Sequence, residues 1–289
     1  MGGPLRVAFA ALCLLSGLTA QAQSPVWALR GAHNTVYLAE SVHLLKAGDA
    51  TLPREFEPAY AAAAIIVMEV DLSHLDAAQT QSWMLTHGML SGTTLEQVVG
   101  KPLYQRVADE AQGLGLPLES LQQLKPWAVA LMLADLQYVK LGYDPVWGVE
   151  RQIERRAQQD GKEIRGLETL DDELGKLAEL APPEQSRFLA LTVADLHAAP
   201  SETDALLAAW RGGKTDQLAE LLSGEYQSFP ELYRTLITDR NSQWLPQIEG
   251  YLRGDRDCLV IVGALHLVGQ GGLLDLARRA GISVRPVRR

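Results

Sequence analysis

Two nearly continuous apolar runs constrain what this chain can fold into. "IIVMEVDL" (Ile65 to Leu72) and "CLVIVGA" (Cys258 to Ala264) are dense in β-branched residues and lack the polar alternation of a strand with one wet face. Strands of this kind are buried on both sides, which calls for a sheet covered by helices. The two runs stand toward opposite ends of the chain, so the sheet is expected to draw on both ends. Shorter runs bounded by polar or glycine residues add further candidate strands: Val26 to Gly31, Asn34 to Glu40, Lys162 to Glu168 and Ile282 to Val287. Between them the pattern is helical, from about 73 to 160 and from about 171 to 253. Pro53, Pro102, Pro126, Pro145, Pro182 and Pro230 fall where first helical turns are plausible. The expected fold is α/β (α+β): one domain, 23–289, with a central mixed sheet and large helical insertions.

The first 22 residues read as a secretory signal peptide, not as structure. Arg6 precedes the apolar stretch Val7 to Leu18, and Ala20-Gln21-Ala22 is a small-x-small cleavage site. Cleavage after Ala22 places the mature chain in a periplasm or outside the cell. It removes Arg6, the one charged residue of the segment, so the net charge goes from −9 to −10. It also removes Cys13, which leaves Cys258 alone in an apolar strand as a buried, inert thiol. No other run reaches the roughly 20 apolar residues that span a bilayer. An acidic chain whose basic residues form no cluster beyond Arg285, Arg288 and Arg289 is not a nucleic-acid binder.

Chemistry-bearing residues collect where strands end. Glu40 and His43 follow the second strand, Glu69 and Asp71 end the third, Glu168 ends the fourth, and His266 follows the fifth. Ligands of open α/β sheets bind outside the carboxyl ends of the strands, so parallel strands would bring these groups to one edge. Two histidines and two or three carboxylates suit Zn²⁺, Mn²⁺ or Co²⁺, and such an ion would acidify a bound water. Taken singly, a histidine after a strand is more often a hydrogen-bonded structural residue, and Asp71 and Glu168 equally suit capping the helices that follow them. Glu69 is harder to set aside, because a carboxylate inside an apolar strand must be paired, neutralised or metal-bound. Gly269, Gly271 and Gly272 follow a strand and open a helix, but Leu274 stands where the dinucleotide fingerprint needs its third glycine. His33, His74, His87 and His197 have no partner spacing, and the six tryptophans read as packing.

At these residues the sequence resembles the TraB/PrgY/GumN family, which includes the Tiki proteins. The resemblance rests on Gly263-Ala-Leu-His266, on Glu69, and on a first motif Glu40-Ser-Val-His43 with Glu where that family usually has Gly. "LKPWAVALML" around Trp127, "GKEIRGLET" with Glu168, and "DRNSQWLPQI" with Arg240, Asn241 and Trp244 extend it from about Trp27 to the chain's end. It implies a fold like that of erythromycin-esterase and ChaN-like proteins, and a metal-dependent hydrolase that acts on a peptide or other small substrate. His43, His266 and Glu69 would hold the metal. Glu69 and Glu40 would do ligand or base chemistry, Arg240 would bind a carboxylate or oxyanion, and Glu168 and Asn241 would contact substrate. The competing expectation is a non-catalytic protein that sequesters a peptide or glycan in the same cleft. For Arg240, the competing expectation is an ion pair with Glu168.

Overall fold

The computed structural model describes residues 24–288 apart from 72, 74–76 and 225–228, with backbone alone at 77, 197–202 and 222–224. The expected signal peptide, Cys13 and His74 lie outside the described residues, as does the side chain of His197.

All six expected strands form: β1 (Val26–Arg30), β2 (Thr35–Ser41), β3 (Ile65–Val70), β4 (Glu163–Glu168), β5 (Cys258–Gly263) and β6 (Val284–Pro286). They make one mixed sheet in the order β4-β3-β5-β2-β1-β6. β3 runs parallel to β4 and β5, and β5 runs parallel to β2. β1 is antiparallel to both β2 and β6. Four adjacent strands thus end at one edge. The register fixes their level, with Met68 opposite Ile261, Val70 opposite Glu168, and Glu40 and Ser41 opposite Val262 and Gly263.

The helices are α1 (Phe56–Ala62), α2 (Ala77–His87), α3 (Leu95–Val99), α4 (Lys101–Leu114), α5 (Pro126–Lys140), α6 (Val149–Asp160), α7 (Leu170–Ala178), α8 (Pro182–Arg211), α9 (Thr215–Gly224), α10 (Pro230–Tyr233), α11 (Asp239–Leu252), α12 (Ala264–Leu267) and α13 (Leu273–Arg279). Pro102, Pro126, Pro182 and Pro230 sit in the first turns of α4, α5, α8 and α10, where the missing N–H costs nothing. A π-helical turn, Arg234–Thr238, leads directly into α11.

The apolar strands divide their side chains between two layers, as two-sided burial demands. Ile66 and Met68 with Leu259 and Ile261 pack on Phe56 and Tyr60 of α1 and on Val149, Ile153 and Ala157 of α6. Ile65 and Val67 with Val260 and Val262 pack on Trp244 and Ile248 of α11 and on Leu273 and Ala277 of α13. A separate core joins α4, α5 and α8 through Val107, Val129, Leu133, Leu189 and Val193. Among the described residues no helix is long and apolar enough to cross a membrane.

Candidate metal centre

Strand alternation decides what arrives at the carboxyl edge. Ile65 and Val67 face α11 and α13, so Glu69, the next residue of that parity, faces them too. There α11 presents Arg240 and Asn241, and α12 presents His266. Arg240 Nη2 donates to Glu69 Oε2 at 2.7 Å and also to Glu168 Oε1, and it lies 3.5 Å from Glu173 of α7. Glu69 Oε1 accepts the Gly263 N–H at 2.6 Å. Burial works against an ionised Glu69, yet His266, Arg240, His43 and that N–H together hold its carboxyl at about 2. The carboxylate demanded by the sequence is therefore paired and charged.

His266 is buried and its ring is fixed at both nitrogens. Nε2 lies 3.2 Å from Arg240 Nη1 and Nδ1 lies 2.8 Å from Asn241 Oδ1. A guanidinium can only donate, so Nε2 is the acceptor and the proton sits on Nδ1. Asn241 is held in this sense because its Nδ2 donates to the carbonyls of His266 and Gly271. Burial first, then Arg240, lowers the His266 pKa to about 4, so the ring is neutral with a lone pair on Nε2. The indole of Trp244 lies against this ring with centroids 4.5 Å apart and donates to Glu168 Oε2 at 3.3 Å. Trp244 is therefore part of the site as well as of the core, more than the packing role expected of the tryptophans.

His43 comes from the other side of the sheet edge. Its Nδ1 lies 2.7 Å from Glu150 Oε1, and Ser41 Oγ donates to the same oxygen at 2.5 Å. The neighbouring Glu150 raises the affinity of the ring for a proton, while 65% of the His43 side chain faces solvent and water screens part of that pull. Nε2 is directed inward: a Cβ on Gly263 would lie 3.3 Å from both His43 Nε2 and Glu69 Oε1. A side chain at the glycine of Gly263-Ala-Leu-His266 would therefore crowd the gap between the histidine and the carboxylate.

His43, His266 and Glu69 are residue types that ligate divalent cations, but among the described residues their donor atoms do not all lie within 4.8 Å of one another. Both histidines have Nδ1 bound to an oxygen behind them, the arrangement that orients imidazole ligands; His266 Nε2 accepts from Arg240 Nη1 at 3.2 Å and lies 3.9 Å from Glu69 Oε2. The cradle between them is open because residue 263 has no Cβ. A second group of carboxylates, Glu69, Glu168 and Glu173, has oxygens within 4.8 Å of one another, but Arg240 reaches all three and already answers their charge.

The structure brings together His43, Glu69, Glu168, Arg240, Asn241 and His266. It places Glu40 elsewhere. Val36, Leu38 and Glu40 share the face of Glu69, but β5 and the side chain of Val262 lie between, two strand spacings or roughly 10 Å across. Glu40 is fully buried, neither carboxylate oxygen has a hydrogen-bond partner, and burial pushes its pKa up to about 8. Asn241 stands behind His266, and Arg240 is a counter-ion to Glu69 and Glu168. Capping falls to a residue other than Glu168, since Thr169 caps α7 through a capping box with Asp172. Asp71 accepts from the backbone N–H and hydroxyl of Ser73. The Gly269–Gly272 turn closes on its own helix, with Gly271 N–H donating to Asp275. Cys258 is buried with its thiol pushed up to about 11, as expected of an inert cysteine. His33 is exposed, and His87 stacks on Trp83.

Glu150 and Glu173 are members of the site that the strand-end pattern missed. Glu150 carries one signal: it sits beside Val149, Ile153 and Ala157 on the inward side of α6, where a carboxylate needs a partner.

A mixed α/β sheet with a histidine–carboxylate site at its carboxyl edge is the class these features define. The chain belongs to the TraB/PrgY/gumN family, whose model matches residues 25–286. It is similar to the uncharacterized protein YbaP of Escherichia coli (strain K12) and of Shigella flexneri. It is 24% identical to each over 267 residues, 88% of this chain and 97% of the relative. No solved structure matches it significantly.

Proposed function

We propose that this chain is an exported, divalent-metal-dependent hydrolase of peptide-like substrates. The observation that carries the reading is the pair of inward-turned Nε2 atoms, His43 and His266, on either side of an ionised Glu69 and over a glycine whose missing Cβ leaves the space open. His43, His266 and Glu69 would hold Mn²⁺, Co²⁺ or Zn²⁺, and such an ion supplies Lewis acidity and an acidified water. The residues of the chain do the rest. Asn241 fixes the His266 tautomer with the lone pair on Nε2, where it accepts from Arg240 Nη1, a hydrogen bond that a metal would replace. Arg240 balances Glu69 and Glu168, which lets three carboxylates converge without mutual expulsion. Glu173, with its side chain 34% exposed, stands at the mouth, where burial and then Glu69 raise its pKa to about 7. A carboxyl in that range can take a proton from a nucleophile and return it to a leaving group. Export rests on the sequence of residues 1–22.

The test is a peptide library incubated with protein that has been stripped of metal and then reloaded with Mn²⁺, Co²⁺ or Zn²⁺, read by mass spectrometry. Metal-dependent cleavage that disappears in His266→Ala is the expected result. Metal analysis of the purified protein accompanies it. Peptide bound but never cut would establish sequestration, and indifference to every metal would defeat the proposal.

A further inference from the structure

His43 lies beyond the end of β2 with most of its side chain in solvent, yet a ligand must be held in one orientation. We infer that Glu150 is a positioning residue that keeps His43 Nε2 presented to Glu69 and thereby sets the affinity of the site for divalent metal. The inference rests on the metal-centre reading above. Among the described residues Glu150 is the polar partner of the His43 ring, at 2.7 Å from Nδ1. Glu150 is itself fixed, because Ser41 Oγ donates to the same oxygen at 2.5 Å and the carboxylate is buried.

The helix that carries it is locked to the segment that carries His43. Val149 N–H donates to Val42 O at 3.1 Å, and Asp144 N–H donates to Leu45 O at 3.0 Å. Gly148, which precedes α6, lies so close that a Cβ there would come within 2.0 Å of His43 O. Val149, Ile153 and Ala157 then seat α6 on the sheet. Backbone contacts therefore set the distance between Glu150 and His43, and no side-chain adjustment is needed to align them. Stability alone is a poor account of the pair. Burying a carboxylate is costly, and an ion pair with a largely exposed partner returns little. Orientation of a ligand through Nδ1 explains why the cost is tolerated.

The experiment measures Co²⁺ affinity by competition with a coloured chelator for wild type, Glu150→Gln, His43→Ala and the double variant, with circular dichroism to verify folding. Glu150→Gln should weaken Co²⁺ binding about 10- to 100-fold in the wild-type background. In His43→Ala it should change binding less than about twofold, because the residue acts through His43. Equal losses in both backgrounds, or none, overturn the inference. Should Glu150→Gln fail to fold, Ser41→Ala, which removes one donor from the same oxygen, must give a smaller loss with the same dependence on His43. Should wild type bind no Co²⁺, the metal reading fails, and crystal structures of the metal-free wild type and Glu150→Gln decide about Glu150. In Glu150→Gln the His43 ring should then turn so that Nε2 no longer lies over Gly263, and an unmoved ring refutes the positioning role.

Discussion

Glu40 yields the sharpest quantitative prediction, because nothing around it complicates its titration. Both carboxylate oxygens are buried without a hydrogen-bond partner, and desolvation pushes the pKa from 4.5 up to about 8. Below pH 4.5 the carboxyl is protonated in folded and unfolded chains alike, and the fold keeps its full stability. Between 4.5 and about 8 the unfolded chain ionises while the folded chain retains its proton. Folding must then take up a proton, and stability falls by about 1.36 kcal/mol per pH unit. Above about 8 both states are ionised and the curve flattens. Across that window Glu40 withdraws on the order of 5 kcal/mol, a large share of the stability of a typical domain.

Glu40→Gln keeps the shape and removes the titration. Urea unfolding of both proteins from pH 4 to pH 9 isolates the contribution, since every other group is common to the pair and cancels. The stability of Glu40→Gln relative to wild type should climb by roughly that amount from pH 4.5 to pH 8.5. Parallel curves would mean that the carboxyl reaches water or a partner, and the burial argument would be refuted. Glu40→Gly asks a second question of the same residue. With β5 and Val262 between Glu40 and the site, Co²⁺ affinity should stay within about twofold of wild type, and a tenfold loss would place Glu40 among the ligands.

Gly263→Ala should cut Co²⁺ affinity by at least about tenfold at a cost of only about 1 kcal/mol in metal-free stability, because the added Cβ meets flexible ends of His43 and Glu69 at 3.3 Å; chelator competition and urea unfolding read the two effects. Gly148→Ala should destabilise by about 1–3 kcal/mol, since its Cβ would meet the His43 carbonyl, which is backbone and cannot swing aside. Arg240→Met leaves Glu69 and Glu168 uncompensated and should cost about 3–5 kcal/mol. Glu69 is held at about 2 against burial by His266, Arg240 and His43, so this penalty should be full above the raised Glu69 pKa of the variant and fade as the pH falls toward 2. Excess metal at about 100 times its dissociation constant should add about 2.7 kcal/mol to wild type and nothing to His266→Ala in thermal unfolding.

The sheet was legible because its signals are local. Ile65–Val70 and Cys258–Gly263 announce two-sided burial by composition, and Pro126 and Pro182 mark helix starts by the chemistry of the ring. The carboxyl-edge site was legible for the same reason: parallel strands of matched register deliver their terminal residues to one line. The sequence could not show how α6 and α7 fold back over that line. Glu150 and Glu173 lie in helical insertions with no marker of their own, and their place depends on long-range docking such as Gly148 against His43.

Glu40 shows how a motif can mislead about a neighbour three residues away. Spacing along a strand says which face a residue takes, and Val36, Leu38 and Glu40 do share the face of Glu69. A shared face does not place two residues side by side, because the order of strands across the sheet is not written in their order along the chain. β5 arrives from far downstream and inserts between β2 and β3, so Glu40 and Glu69 are level yet separated. His43 escapes this limit by lying beyond the last paired residue, where the chain is free of the pleat and can turn its ring over the end of β5. Gly263 marks that same end, and its missing side chain is what allows the ring and Glu69 to face each other. On β2 a carboxylate within the strand and an imidazole just past it therefore have different reach, and the imidazole is the one that meets Glu69 across the end of β5.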